Sequence, residues 1–275
     1  MTANNMYGIC NLSIVPCRKE PSDKSEMVTQ LLFGEHFELL DTKGNWQLIR
    51  IAYDGYECWI DKKQFHPIAD IKGISDTTTA VTTDLLQLAE DEKKGTIPVV
   101  LGSSLPKLKD KSFFLGKQEY SFNGEATFPF SKKKEHSVVE IAKWYLNTPY
   151  LWGGRSPFGI DCSGFTQMVF KLNGIKLKRD AWQQAEQGKA LNFLEEAQTG
   201  DLAFFDNEDG KIVHVGIILP STRAALPLKG GDGGGPGFNI IHASGKVRID
   251  KLDHQGIYNE EQKKYTHRLR VAKKY

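Results

Sequence analysis

The sequence predicts an α+β protein in which small β-barrel units precede a domain of helices packed on one face of an antiparallel sheet. Two observations support this prediction. Up to about residue 130, short apolar runs alternate with tight turns, whereas from Ser137 onward the apolar spacing is first that of helices and then that of strands. At 275 residues the chain is too long for one small barrel, and we expect three parts, at 1–68, 69–131 and 132–275.

The first part is predicted to be a small antiparallel barrel. Asp54 and Gly55 form a dipeptide that tolerates positive φ at both turn positions, and the runs on either side of it predict a hairpin over 46–60. Short strands joined by tight turns are typical of small barrels. The predicted strands lie at 31–33, 36–40, 46–52 and 56–60.

The second part, 69–131, has a weaker pattern. Apolar runs at 97–102 and 115–124 favour strands and hence a second small β-unit, whereas 81–92 suits either one helix or a polar linker. The lysine-rich run at 132–135 is short and ends in Glu135, so it indicates a solvated boundary rather than a nucleic-acid patch.

The third part begins with two predicted helices. Ser137 and Glu140 stand three residues apart, which is the spacing of a capping box at a helix start, and Pro149 ends that helix. A second helix follows Asp161, because apolar residues then recur on one face until Gly174, a residue type that favours the left-handed conformation at helix ends.

Strand patterns return after about residue 199. The glycine-rich segment 230–237 interrupts them. It lacks the Gly-Lys-Ser/Thr of a phosphate-binding loop and opens no helix, so we interpret it as a surface insertion. The predicted strands are 202–205, 213–219, 238–243, 246–249 and 268–271.

Composition and charge exclude several classes of protein. A chain that is 40% hydrophobic and 25% charged is not mostly disordered, and a net charge of only +2 does not favour a nucleic-acid partner. The sequence shows neither an apolar stretch of membrane-spanning length nor the basic-then-apolar start of a secretory signal. We therefore expect a cytoplasmic protein with no membrane partner; a periplasmic or cell-surface location is the alternative if a signal was removed.

The four cysteines, Cys10, Cys17, Cys58 and Cys162, form no Cys-x-x-Cys pair, which speaks against a zinc ribbon or a redox motif. Cys10 and Cys17 are close enough in sequence for a loop disulfide, but only in an oxidising compartment.

Cys162 is the strongest candidate for a nucleophile. With Asp161 as N-cap, it lies in the first turn of the second helix, where free backbone N–H groups and the helix dipole stabilise a thiolate. A lone cysteine is more often a small buried apolar residue. The glycines at 153–154 and 164 favour the catalytic interpretation, since they let the backbone approach a neighbour closely.

A cysteine nucleophile needs a base, and His214 is predicted to supply it. Strand alternation places His214, Gly216 and Ile218 on one sheet face, although a hydrogen-bonded core histidine would show the same pattern. His242 lies in a similar strand and can hold the other nitrogen of His214. Cys162 with these two histidines could instead bind zinc, but the spacing offers no evident fourth ligand. The other histidines are interpreted as structural or surface residues: His36, His66, His136, His254 and His267.

Five motifs in one order resemble those of the NlpC-type papain-like cysteine peptidases of bacteria. The resemblance covers about 137–275, and it is specific because all five occur together. The motifs are TPYLWGG at 148–154, DCSGF at 161–165, GDL at 200–202, HVGI at 214–217 and IHAS at 241–244.

This resemblance implies a papain-like catalytic domain with Cys162 as nucleophile, His214 as base and His242 as the orienting residue, without any metal or cofactor. With SH3-like units ahead of that domain, the chain resembles the γ-D-glutamyl-L-diamino acid endopeptidases, also called dipeptidyl-peptidase VI. Such enzymes cleave murein peptides that carry a free N-terminal L-Ala-γ-D-Glu, in cell-wall peptide recycling or turnover. We expect a monomer whose partner is a peptide of this kind.

The same resemblance implies further site residues. Tyr150 matches a tyrosine that helps to hold the oxyanion, and Asp161 is a candidate partner of the substrate amine. Tyr56 lies in the hairpin from which an SH3-like domain can send an aromatic side chain into the cleft. The positions matched to the substrate pocket are Trp152, Asp161, Ser163 and Asp180.

Two other functions stay open on the sequence alone. A secreted hydrolase of intact peptidoglycan would use the same chemistry, with the SH3-like units binding the wall. A non-catalytic wall-peptide-binding protein would need no active cleft, and the presence of Cys162, His214 and His242 weighs against it.

Overall fold

The computed structural model describes residues 6–69, 71, 74–91, 95–131, 134–220 and 237–275. Helices and antiparallel sheets are both present, and the predicted α+β class is confirmed. Among the described residues, every helix is too short or too polar to cross a membrane. Contacts divide the chain into a first unit, made of the chain up to His136 with Leu151–Ile160 and Phe170–Lys176, and a second unit of Ser137–Tyr150, Asp161–Val169 and Leu177–Tyr275.

The first unit opens with a seven-stranded antiparallel sheet. Its strands are β1 (Met6–Ile9), β2 (Ile14–Arg18), β3 (Met27–Leu32), β4 (His36–Lys43), β5 (Trp46–Ile51), β6 (Glu57–Asp61) and β7 (His66–Ile68). They pair in the order β3-β2-β6-β5-β4-β1-β7 around a core that includes Val15, Leu31, Phe37, Ile49 and Ile60. Strands β1 and β2 were not predicted, because each is short and Pro16 interrupts the second.

The predicted hairpin at 46–60 is confirmed as the antiparallel pair β5 and β6. Its turn is longer than the two-residue turn that Asp54-Gly55 predicted, since it occupies all of 52–56. Only Gly55 has a positive φ, of 78°. Asp54 instead uses its carboxylate to accept the N–H of Tyr56 at 2.9 Å, which closes the turn from the side chain.

Residues 79–127 form two further antiparallel sheets, ordered β10-β9-β13-β12 and β11-β8-β14. The strands are β8 (Thr79–Thr82), β9 (Leu86–Asp91), β10 (Gly95–Val100), β11 (Ser104–Pro106), β12 (Ser112–Leu115), β13 (Gln118–Phe122) and β14 (Ala126–Thr127). The helix or linker predicted at 81–92 is wrong. Leu86 and Leu88 point to solvent while Ala89 is buried, so leucines on the outer face hid the strand alternation. The boundary at 68–69 between two β-units stays a prediction.

The segment Leu151–Ile160 brings a buried arginine into the first unit. It forms a small hairpin of β15 (Arg155–Ser156) and β16 (Gly159–Ile160). Arg155 donates to both carboxylate oxygens of Glu35, at 2.8 and 2.9 Å, and Lys171 donates to one of them at 2.8 Å. Burial alone would raise the pKa of Glu35, but the two cations outweigh it and lower the pKa to about 2. We call Glu35, Arg155 and Lys171 the Glu35 cluster.

The second unit contains the helices and a sheet in the order β17-β23-β18-β19-β20-β21-β22, in which β22 also pairs with β23. Its helices are α1 (Val138–Trp144), α2 (Cys162–Leu172), whose last residues belong to the first unit, and α3 (Ala181–Glu186). Its strands are β17 (Lys189–Ala190), β18 (Leu202–Asp206), β19 (Ile212–Leu219), β20 (Phe238–Ser244), β21 (Lys246–Leu252), β22 (Gly256–Asn259) and β23 (Lys264–Lys274). A single 3₁₀ turn lies at Leu194–Glu196 in this unit, and two more lie at Lys62–Gln64 and Asp76–Thr78 in the first unit.

The predicted start of α1 and the predicted end of α2 are confirmed, whereas α1 itself ends at Trp144, before the predicted stop at Pro149. Ser137 and Glu140 form the reciprocal capping box of α1, and Gly174 has a φ of 75° two residues after α2. Helix α3 was not predicted, because it has only six residues and buries just Ala181 and Gln184. Residues 230–236 of the glycine-rich insertion, and Lys132 and Lys133 of the lysine run, lie outside the described residues.

All four cysteines are free thiols, so the loop disulfide considered for Cys10 and Cys17 is not formed. Cys10 hydrogen-bonds the carbonyl of Leu12, and Cys17 lies beside Cys58 on the neighbouring strand. All three thiols are buried in the core of the first sheet. They behave as small apolar core residues.

Candidate active site

The start of α2 is held by Asp161 as predicted. Its carboxylate Oδ1 accepts the N–H of Gly164 at 2.6 Å, and its main-chain carbonyl accepts the N–H of Phe165 at 2.9 Å. These are the two hydrogen bonds expected of an N-cap residue. Cys162 is therefore fixed in the first turn of the helix, with its side chain buried.

A buried arginine that the sequence analysis did not single out lies beside this cap. Arg179 donates through Nη1 to Asp161 Oδ1 at 3.1 Å and through Nη2 to Oδ2 at 2.6 Å. It also donates to the hydroxyl of Ser163 at 2.9 Å. This bidentate ion pair immobilises Asp161 and so stabilises the start of α2. The only sequence signal was an arginine directly before Asp180, which proximity to a predicted pocket residue could have flagged.

The electrostatics of Cys162 correct the prediction of a preformed thiolate. Burial raises the pKa of Cys162 to about 12, with the Asp161 carboxylate acting in the same direction. Hydrogen bonds from the main chains of Val215 and Ser163, together with Arg179, lower the pKa but do not overcome burial. The helix start is present, yet the sulfur is too deeply buried for it to dominate, and the resting group is a thiol.

The same contacts bring the sulfur next to β19. The main chain of Val215 hydrogen-bonds Cys162, and His214 is the preceding residue of that strand. His214 Nε2 lies 2.8 Å from Nδ1 of His242, so the histidine pair predicted from strand alternation forms directly. Burial lowers the pKa of His214 well below its usual range, and His242 and His267 act in the same direction. His214 is therefore a neutral imidazole at rest.

The sheet continues this chain of hydrogen bonds to an acid. His242 Nε2 lies 2.9 Å from Oδ2 of Asp250 on β21. Arg248 donates to both oxygens of the same carboxylate, at 2.7 and 2.9 Å. Burial alone would raise the pKa of Asp250, but hydrogen bonds from His242 and Arg248 outweigh it and lower the pKa. Asp250 is thus an ionised carboxylate, and the sequence analysis did not identify it.

Strand register explains why these side chains meet. Gly216 on β19 lies opposite His242 on β20, and His242 lies opposite Arg248 on β21. A Cβ atom at Gly216 would lie 2.9 Å from the Cβ of His242 and 2.7 Å from Ile240. Such contacts are closer than packed carbon atoms tolerate. Glycine at 216 therefore makes the room that the histidine pair occupies.

His267 is part of this cluster, which corrects its interpretation as an isolated structural or surface residue. Its ring stacks on His214, with centroids 4.1 Å apart and planes inclined by 23°. Burial lowers the pKa of His267 to about 4, with His242 acting in the same direction. No partner pattern for His267 is visible in the sequence, because its position on the distant strand β23 becomes relevant only through sheet order.

This geometry bears on the zinc alternative. Nitrogen atoms of His214, His242 and His267 lie within 4.8 Å of one another. A metal ion lies in the plane of each imidazole that binds it, and stacked rings such as those of His214 and His267 do not direct their lone pairs to one point. Both nitrogens of His242 are already hydrogen-bonded. The arrangement suits a chain of proton donors and acceptors better than a zinc site.

Of the other predicted residues, Tyr150 and Ser163 lie close to Cys162. Burial raises the pKa of Tyr150, with Cys162 and Asp161 acting in the same direction, so its hydroxyl stays protonated and can donate. Its own N–H is held by the carbonyl of Gly245 at 2.9 Å. Ser163 is buried and hydrogen-bonded by Arg179.

The remaining pocket residues have defined places, and their substrate roles stay predictions. Trp152 and Tyr56 belong to the first unit: Trp152 is exposed and donates to Glu26 at 2.8 Å, whereas Tyr56 packs partly buried against the barrel core. Asp180 is the N-cap of α3, where its N–H donates to Gln183 at 3.1 Å.

Comparison with known proteins identifies the family of the chain. The NlpC/P60 family model matches residues 147–268, and the model of the bacterial dipeptidyl-peptidase SH3 domain matches residues 17–65. A "Gamma-D-glutamyl-L-lysine dipeptidyl-peptidase" of Bacillus subtilis is 30% identical over 235 residues, covering 80% of this chain and 74% of that protein. A "Dipeptidyl-peptidase 6" of Lysinibacillus sphaericus is 29% identical over 280 residues, covering 86% of this chain and 88% of that protein.

A solved structure shares the whole fold. It is that of an NlpC/P60 family protein from Bacillus cereus, with a TM-score of 0.75 and 22% identity, covering 98% of this chain and 99% of that chain. The predicted SH3-like domain and NlpC-type catalytic domain are thereby confirmed. The chain belongs to the NlpC/P60 family and is a cysteine peptidase.

Proposed function

We propose that the protein hydrolyses the bond between γ-D-glutamate and a diamino acid in murein peptides that carry a free N-terminal L-alanine. One observation carries the chemistry: the thiol of Cys162 lies against β19, whose His214 is backed by His242 and Asp250. The substrate is supported by the names of the B. subtilis and L. sphaericus relatives, which cover most of the chain.

In the proposed reaction, His214 takes the proton of the Cys162 thiol as the sulfur attacks the γ-carbonyl carbon of D-glutamate. Because the resting pair is a neutral thiol and a neutral imidazole, proton transfer accompanies attack rather than preceding it. In this proposal, N–H groups at the start of α2 and the Tyr150 hydroxyl stabilise the oxyanion.

The tetrahedral intermediate then collapses. His214 gives its proton to the amine of the diamino acid, which leaves, and the dipeptide remains as a thioester on Cys162. A water molecule gives a proton to His214 and attacks the thioester carbonyl. Release of L-Ala-γ-D-Glu returns the proton to sulfur and restores the thiol.

Selectivity for a free amine is proposed to come from an acidic side chain. Asp161 accepts Gly164, Ser163 and Arg179 through Oδ1 and Arg179 through Oδ2, and a carboxylate oxygen can accept more than one donor. Asp180 offers a second carboxylate directly after Arg179. A capped substrate has no ammonium group to pair with such a carboxylate, so we expect its kcat/KM to be at least about 10³-fold lower.

The experiment measures hydrolysis of L-Ala-γ-D-Glu-L-Lys, its diaminopimelate analogue, the N-acetylated forms of both, and intact sacculi. We expect turnover only of the free tripeptides and none with Cys162→Ala. Equal rates on capped and free peptides would refute the selectivity, and release of peptides from sacculi would favour the wall-hydrolase alternative.

The two acids are separated by substitution. If Asp180 binds the amine, Asp180→Asn raises KM for the free peptide and leaves the melting temperature unchanged. Asp161→Asn should lower both kcat and the melting temperature, because Asp161 caps α2 and pairs with Arg179. An Asp180→Asn enzyme with unchanged KM would leave Asp161 as the amine partner.

We propose a cytoplasmic location, in the recycling of wall peptides. A free L-alanine amine exists only after the peptide has been cut from its glycan, so soluble peptides are the matching substrate. Cell fractionation with an antibody to the native protein tests this, and recovery of the protein in the periplasm or at the cell surface would overturn it.

A further inference from the structure

Asp250 is the last member of a buried hydrogen-bonded chain that begins at the predicted base. His214, His242 and Asp250 are all buried, and they lie on three neighbouring strands, β19, β20 and β21. The two links of the chain measure 2.8 and 2.9 Å between heavy atoms. This carboxylate lies outside the predicted catalytic set of Cys162, His214 and His242.

The direction of each hydrogen bond follows from the carboxylate. An ionised Asp250 only accepts, so Nε2 of His242 must carry its hydrogen. In the tautomer with its single hydrogen on Nε2, His242 has a lone pair on Nδ1, which can only accept from Nε2 of His214. A neutral His214 with its hydrogen on Nε2 has its lone pair on Nδ1, and that nitrogen is left to act as a base.

Charged neighbours keep Asp250 in the ionised state. Arg248 clamps both of its oxygens and also reaches Glu261 at 3.2 Å, while His242 donates from β20. His267 on β23 also interacts electrostatically with the Asp250 carboxylate. Arg248 is therefore the permanent positive charge held directly against Asp250, and it does not compete for the imidazole hydrogen.

We propose that Asp250 is a positioning residue of this active site, which holds His242 in the one tautomer that leaves Nδ1 of His214 free to take the Cys162 proton. The inference rests on the proposed peptidase function for its kinetic consequence, but its tautomeric consequence holds without any substrate. When His214 becomes an imidazolium during attack, the same chain places the Asp250 charge behind it.

The test replaces Asp250 by asparagine and by alanine. Asparagine is isosteric, but Arg248 donates to both oxygens, so its amide group must face a donor whichever way it is turned. We expect kcat on the free tripeptide to fall about 10- to 100-fold in both variants, with KM within about twofold of the wild-type value.

Asp206→Asn is the matched control. Asp206 is also a buried strand carboxylate of this sheet, but its partners are Arg268 at 2.8 Å and Arg270 rather than an imidazole. We expect Asp206→Asn to lower the melting temperature about as much as Asp250→Asn while leaving kcat unchanged. A loss of kcat that is equal in the two variants would reduce Asp250 to a structural residue and overturn the proposal.

Two readouts need no substrate. Long-range ¹H–¹⁵N NMR of the imidazoles should show His214 and His242 protonated on Nε2 in the wild type and mixed tautomers in Asp250→Asn, but not in Asp206→Asn. The rate at which iodoacetamide alkylates Cys162 near pH 7 should fall about tenfold in Asp250→Asn, with Cys162→Ala giving the background from other cysteines.

These readouts separate the two claims. If the tripeptides are not cleaved but tautomers and alkylation change in Asp250→Asn, the proposed substrate is wrong and the role of Asp250 stands. If the tripeptides are cleaved and Asp250→Asn retains wild-type kcat and wild-type tautomers, the function stands and the role of Asp250 is refuted.

Discussion

The two units each bury a cluster of charged and polar side chains. The clusters differ in whether their hydrogen-bond donors are fixed or can move to another atom. In the Glu35 cluster of the first unit, Arg155 and Lys171 are permanent donors to a permanent acceptor. In the second unit, Asp250 ends a chain whose two imidazoles can each carry a hydrogen on either nitrogen. A buried ion pair of the first kind fixes positions, whereas a chain of the second kind also decides where a proton resides.

The largest expected effect is on stability in the first unit. Glu35→Ala leaves Arg155 and Lys171 buried without their anion, and we expect a loss of about 3–5 kcal/mol in the free energy of unfolding. Urea unfolding followed by tryptophan fluorescence measures it. The control is Glu38→Ala, which removes a more exposed ion pair with Arg50 and should cost far less stability than Glu35→Ala. Similar losses in the two variants would contradict the special weight of the Glu35 cluster.

Acid should weaken the same cluster. The pKa of Glu35 is lowered from 4.5 to about 2 in the folded protein, so its contribution is complete above pH 4.5 and is lost as the pH falls toward 2. The shift corresponds to roughly 3 kcal/mol. Denaturant unfolding across this range measures the loss. Glu35→Gln should flatten the pH dependence by that amount, and an unchanged slope would show that other carboxylates dominate it.

A smaller effect is expected where the histidine chain needs space. Gly216→Ala inserts a Cβ 2.9 Å from that of His242, and we expect a loss of about 1–3 kcal/mol together with a reduced kcat. Gly237→Ala is the control, because a Cβ there would meet no atom of the described residues within 4 Å. Thermal melts and kcat measured on both variants check this; equal behaviour would mean that the strands adjust without cost.

The smallest expected signal is an absence of thiolate. Because burial raises the pKa of Cys162 to about 12, the ultraviolet difference spectrum between the wild type and Cys162→Ser should show no thiolate band from about pH 6 to about pH 9. A band that appears with a midpoint below pH 7 would restore the preformed thiolate predicted from the helix start.

Local signals in the sequence predicted much of the fold. The capping box at Ser137 and Glu140, the N-cap Asp161 and the hairpin at 46–60 each depend on residues a few positions apart, and all three are present. One element was predicted wrongly, because 81–92 was assigned to a helix or a linker. Strand β9 carries leucines on its solvent face, so its period was obscured.

In the site, residues in local motifs were predicted, and residues that depend on tertiary packing were not. Cys162, His214 and His242 stand in recognisable local motifs, and the structure brings the two histidines together directly. Arg179, Asp250 and His267 were missed because each becomes relevant only through partners brought close by helix and strand packing. The ionisation state of Cys162 was mispredicted for a related reason, since depth of burial is a property of the whole unit.

The contact beneath the histidine pair constrains how this enzyme could be re-engineered. The nearest His242 atom to a side chain at position 216 is the Cβ, an atom that every residue except glycine possesses. Exchanging His242 for asparagine or glutamine would therefore not relieve the crowding. In a combinatorial library, varying position 242 would therefore not make a larger residue at position 216 easier to accommodate, because the Cβ contact remains.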